Sequence, residues 1–158
     1  MAGKNEDATL LKGGLVVDGS ATPGQVGDVL LAGERIVAVG QIAQALIDEH
    51  GPRVVDCSGK VVAPGFIDVH THDDAAAIEK ADMLPKLSQG VTTVIVGNCG
   101  ISLAPVVTKA PAAPLSLLGS TQFLHATMRE YADAVNAARP GVNVAALLGH
   151  TALRMRHM

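Results

Sequence analysis

Val61–Asp74 reads VVAPGFIDVHTHDD. An apolar, β-prone run leads into His70, Thr71 and His72, and two carboxylates, Asp73 and Asp74, follow. Side chains alternate faces along a strand, so His70 and His72 are expected to point the same way. Two imidazoles converging at the exit of a buried strand supply half of a metal site, suited to zinc or another borderline ion that favours nitrogen ligands. A lone His-x-His can equally be a packing or surface pair, so the reading depends on the rest of the chain. Asp68, two residues before His70, shares the histidines' face and is a candidate hydrogen-bond acceptor beside them. Asp73 and Asp74 could orient an imidazole or bind substrate, or could cap the helix that follows.

Outward from this stretch the chain changes character. Residues 9–40 read as short strands broken by glycine, with a turn at Gly13-Gly14 and a hairpin turning at Gly33. A short helix is expected over Ile42–His50, stopped by Gly51-Pro52, and two further short strands over 54–62. From Phe66 onward the pattern becomes strand, helix, strand, helix, strand. The expected strands are Phe66–His72, Val91–Val96 and Val142–Leu148. The helices are expected at Ile78–Gln89, interrupted by Pro85, and at Gln122–Ala138, with a loop over 108–119. VTTVIV at 91–96 has the composition of a strand buried on both faces. The alternation predicts an α/β fold with parallel strands and helical crossovers.

Parallel α/β folds collect functional groups at the carboxyl ends of their strands. This chain places a metal-competent residue at each such end: His70 and His72, then Cys99 within Gly97-Asn98-Cys99-Gly100, then His150 after Gly149. Cys99 is read as a thiolate ligand in line with the histidine pair. His150 is read as a substrate contact or a support for the ligands. Cys57, in a turn of the first segment, is read as a small buried hydrophobe. His50, His125 and His157 are read as solvated.

Composition excludes several classes. The chain has 158 residues, 48% hydrophobic and 17% charged, which is globular and argues against disorder. A net charge of −3 leaves no basic footprint for nucleic acid. Met1–Gly14 is charged and lacks the apolar core of a signal peptide, and no apolar run approaches the roughly 18 residues of a membrane span. Two cysteines give no sign of a disulfide framework. A cytoplasmic protein without nucleic-acid or membrane partners is expected, with its oligomeric state left open.

Three stretches, APGFIDVHTHDD, DMLPKLSQGVTTVIVGNCGIS and NVAALLGHTALR, occur in order between Leu10 and Arg154. Together they resemble the N-acyl-D-amino-acid deacylases (D-aminoacylases) of the amidohydrolase superfamily. The resemblance implies a metal-dependent (β/α)8 TIM barrel with an accessory β-sandwich lobe. Residues 1–62 would be the incomplete lobe and 63–158 the first three barrel strands. It further implies zinc at the barrel mouth, held in part by His70, His72 and Cys99. Zinc would polarise the carbonyl of a small-molecule N-acyl-D-amino acid and lower the pKa of the attacking water. A late aspartate would serve as general base, and the products would be a carboxylate and a free D-amino acid. No position in this chain matches that aspartate. A complete barrel takes about 250 residues, so the chain is expected to be the amino-terminal part of such an enzyme and inactive alone. The alternatives are a dihydroorotase- or hydantoinase-like cyclic amide hydrolase and a non-catalytic metal-binding module.

Overall fold

The computed structural model describes residues 7–119 and 123–157. It divides into two compact units, Met1–Pro64 and Gly65–Met158.

In the first unit, β1 (Ala8–Val16) organises a five-stranded sheet. β2 (Gln25–Ala32) pairs with it antiparallel, and β3 (Arg35–Gly40) pairs antiparallel with β2 through a turn at Gly33, φ 54°. Helix α1 (Gln44–His50) is closed by Gly51 in the left-handed conformation. β4 (Arg53–Asp56) and β5 (Val61–Val62) then run parallel to β1. The expected turn at Gly13-Gly14 is instead a bulge within one continuous strand. Gly13 takes φ 73°, its N–H donates to Asp28 Oδ1 at 2.8 Å, and the register shifts between Leu11 and Gly14. A left-handed glycine can serve either feature, and the long β1–β2 pairing decides for the bulge. Cys57 is buried, as its setting suggested. The described residues of this unit form a single sheet with one helix.

The second unit runs β6 (Phe66–Asp68), α2 (Ala76–Glu79), α3 (Leu84–Leu87), β7 (Val91–Val96), β8 (Val106–Thr108), β9 (Phe123–His125), α4 (Met128–Ala138), β10 (Asn143–Ala146) and α5 (His150–His157). β6, β7 and β10 are parallel, in the order β10-β7-β6, as the alternation predicts. Val94 and Val96 are fully buried and pack with Ile101, Leu103, Phe123, Tyr131 and Val135. Val91, Thr93 and Ile95, on the other face, are only half-buried, so β7 is not buried on both faces.

Three expectations fail locally, each for a physical reason. The helix expected at Ile78–Gln89 is two short helices, because Met83 turns left-handed (φ 46°) and Pro85 fits only the first turn of a new helix. The stretch 108–119, expected as loop, contributes to β8, which pairs antiparallel with β9, and holds a 3-10 turn at Leu115–Leu118. The helix expected from Gln122, a residue outside those described, begins at Met128. There Thr127 Oγ1 accepts the Glu130 N–H at 3.1 Å, and Glu130 Oε2 accepts the Ala126 N–H at 2.7 Å. No helix among the described residues is long and apolar enough to cross a membrane.

Candidate metal centre

The strand carrying the histidines stops earlier than its sequence suggests. β6 ends at Asp68, and Asp68 Oδ1 accepts the His70 N–H at 3.2 Å, taking a donor the strand ladder would otherwise use. The backbone then stays beside β7 through Thr71, whose N–H donates to Ile95 O at 3.3 Å. His70 and His72 still converge, their rings 5.9 Å apart and inclined by 76°. Their common direction comes from this anchored exit, since the strand alternation expected of Phe66–His72 ends before both of them.

The third residue arrives from the neighbouring strand. β7 leaves through Gly97 (φ 81°), and Cys99 itself sits left-handed at φ 55°. A non-glycine residue in that region is strained by about 1–2 kcal/mol. The turn brings Cys99 Sγ to 3.2 Å from His70 Nε2. One ligand atom from each of His70, His72 and Cys99 lies within 4.8 Å of the others, and all three residues are exposed. Asn98 locks the two exits together, its Nδ2 donating to Ile95 O at 2.7 Å and to Thr71 O at 3.4 Å.

The carboxylates around this cluster have distinct settings. Lys86 Nζ, on α3, lies 2.7 Å from Asp68 Oδ2 and 2.9 Å from Asp73 Oδ2. The Lys86 hydrogen bond, helped by the His70 N–H, holds Asp68 below the usual carboxylate range, and Asp68 in turn raises Lys86. Thr71 Oγ1 also donates to Asp73 Oδ2. Asp74 is different: it is 1% exposed, and neither side-chain oxygen receives a hydrogen bond of full geometry. Burial pushes its pKa up, partly offset by the nearby amide of Gly97 and the charge of His72. Neither Asp73 nor Asp74 caps α2 with its side chain, the alternative role the sequence left open.

His150 does not join the three-residue cluster; it is exposed at the start of α5, its backbone nitrogen near Gly100, the residue after Cys99. The preceding Gly149 donates its N–H to the buried Ser102 Oγ at 3.0 Å, which fixes where that helix begins. His125, expected in solvent, is half-buried and packs edge-on against Tyr131 at 5.6 Å. Sequence reasoning passed over Lys86 and Asn98. Lys86 sits on a helix that Pro85 obscured, and Asn98 read only as part of a glycine turn.

The chain matches known proteins closely. Residues 53–158 match the model of the amidohydrolase family. A D-aminoacylase of Alcaligenes xylosoxydans xylosoxydans is 50% identical over 148 residues, covering 92% of this chain and 29% of that protein. A solved structure of a D-aminoacylase, from a study of its binuclear metal centre, superposes with a TM-score of 0.87 at 48% identity, covering 95% of this chain and 31% of that one. The N-acyl-D-glutamate deacylase of Bordetella bronchiseptica, solved with zinc and a phosphonate mimic of the tetrahedral intermediate, gives 0.85 at 45% identity over 97% and 31% of the two chains. The chain thus spans about a third of the length of these relatives. With a family match over more than half its residues, and deacylases among its close relatives, the chain belongs to the amidohydrolase family.

Proposed function

We propose that the protein carrying this chain hydrolyses N-acyl-D-amino acids with zinc held in part by His70, His72 and Cys99. The observation that carries the reading is the convergence of two imidazoles and a thiol, from the exits of two adjacent parallel strands, within 4.8 Å. Nitrogen and sulfur donors at this spacing are the set that suits zinc, so the residues fit the ion. When bound, the metal supplies Lewis acidity, polarising the amide carbonyl and lowering the pKa of water.

The chain's own residues contribute placement. Asp68 and Asn98 fix the two strand exits through the His70 N–H and the carbonyls of Ile95 and Thr71. Asp68 and Asp73 are engaged by Lys86, and Asp74 is buried. None of these three carboxylates is free to collect a proton from water at the cluster, so none is assigned as general base. A substrate contact by His150 belongs to the same proposal. So does the architecture: residues 63–158 supply the first three strands of a (β/α)8 barrel, and residues 1–62 part of an accessory β-sandwich lobe. The architecture is supported by the superposition of this chain on a D-aminoacylase and on an N-acyl-D-glutamate deacylase.

The test is hydrolysis of N-acetyl-D-amino acids by the protein carrying this chain, with and without zinc, against the L-enantiomers and a cyclic amide. Zinc-dependent release of the D-amino acid is expected. Activity confined to the cyclic amide, or unaffected by stripping metal, would overturn the proposal.

A further inference from the structure

The ammonium of Lys86 lies between the two carboxylates that bracket His70-Thr71-His72. It is 2.7 Å from Asp68, two residues before the pair, and 2.9 Å from Asp73, one residue after it. It also donates to Thr71 Oγ1, between the histidines, at 3.3 Å. The three charged side chains are only about a quarter to a third exposed, at 24% for Lys86, 30% for Asp68 and 24% for Asp73. Holding a lysine in one rotamer costs side-chain entropy, and a lone exposed pair seldom recovers it. Here one ammonium meets three acceptors that flank or interrupt the same tripeptide.

The arrangement reaches the imidazoles through the backbone. Asp68 uses one oxygen for Lys86 and the other for the His70 N–H. Thr71 donates its hydroxyl to Asp73 and its N–H to Ile95 O. We propose that Lys86 is a positioning residue for the metal centre: by tying Asp68 to Asp73 across Thr71, it fixes the short segment whose two histidines must face Cys99. This rests on the metal site proposed above.

Charge and position act in opposite directions, which makes the idea decidable. Removing a cation beside a metal site strengthens cation binding on electrostatic grounds alone. Loss of a group that orients ligands typically weakens metal binding by about tenfold to a hundredfold. The experiment is cobalt(II) binding to the metal-free protein, read by thiolate-to-cobalt charge transfer and by chelator competition, for wild type, Lys86→Met, Lys86→Arg and Thr71→Val. Lys86→Met is expected to bind cobalt about tenfold or more weakly with an altered band. Lys86→Arg, which keeps charge and donors, should recover most of the affinity. Thr71→Val is neutral and close in shape, and should weaken binding in the same direction. It carries the test if Lys86→Met does not fold.

Unchanged or tighter binding in Lys86→Met or Thr71→Val, with the wild-type band retained, would overturn the positioning role and leave the metal site standing. No charge-transfer band in the wild type would overturn both.

Discussion

His70 Nε2 and Cys99 Sγ lie 3.2 Å apart, although 29 residues separate them in the chain and they leave different strands. The parallel pairing of β6 with β7 makes the contact possible, and the left-handed turn at Cys99 completes it. Replacing the thiol should therefore remove a charged donor as well as a ligand. Cys99→Ala is expected to lose tight zinc binding, and His70→Ala or His72→Ala to weaken it, by chelator competition. A zinc-loaded crystal should show Nε or Nδ and Sγ about 2.0–2.3 Å from the ion. Undiminished zinc affinity in Cys99→Ala would make the cysteine a packing residue.

The turn that presents Cys99 constrains its neighbours. Gly97 has φ 81°, and a Cβ there would lie 2.2 Å from the Leu147 carbonyl oxygen. Gly97→Ala should therefore exceed the roughly 1–2 kcal/mol cost of left-handed backbone alone and shift the urea midpoint sharply down. At Cys99 the same physics reverses, because a side chain already occupies a left-handed position. Cys99→Gly should be more stable than Cys99→Ala by about 1 kcal/mol in urea unfolding, with neither binding metal tightly.

Helix α4 begins where Thr127 captures the Glu130 N–H. Thr127→Ala should cost about 1 kcal/mol, within a range of 0.5–2, in chemical denaturation. Thr127→Ser should recover most of it, because the hydroxyl is the group that acts. Equal midpoints for wild type and Thr127→Ala would remove the cap from the account of this helix.

Tyr131 is 2% exposed and donates its hydroxyl to the backbone oxygen of Asp74 at 2.9 Å. Burial, with the nearby Asp74 charge, raises its pKa above the ordinary tyrosine value. For an acid whose folded pKa is raised, the folded state keeps the proton that the unfolded state releases. The contribution is neutral below the unfolded pKa near 10, and stability falls as pH rises beyond it toward the folded value. Unfolding titrations at alkaline pH should show a decline that Tyr131→Phe reduces. A wild-type tyrosinate signal appearing near pH 10 without unfolding would contradict the buried setting.

Much of the site could be read from residue order. His-x-His after an apolar run, a cysteine between glycines after VTTVIV, and helices between them were sufficient to name His70, His72 and Cys99 as a set, because strand exits in a parallel sheet point to one end. Their distances could not be read that way. The histidines face each other because Asp68 ends β6 and takes the His70 N–H, an exchange of one hydrogen bond for another that periodicity does not record.

What the sequence by itself determined was the alternation of strand and helix in 66–157, the identity of the donor atoms, and the family pattern that joins them. Those depend on local apolar periodicity, glycine placement and side-chain chemistry, all of which are written in order along the chain. Tertiary structure alone decided the β1 bulge, the two-piece helix around Met83, the β8–β9 pair and the role of Lys86. Each depends on partners distant along the chain or on a choice between nearly equal local conformations. Lys86 is the clearest case: in sequence it is a charged residue after a proline, and only the packing of α3 beside the β6 exit brings its ammonium between Asp68 and Asp73.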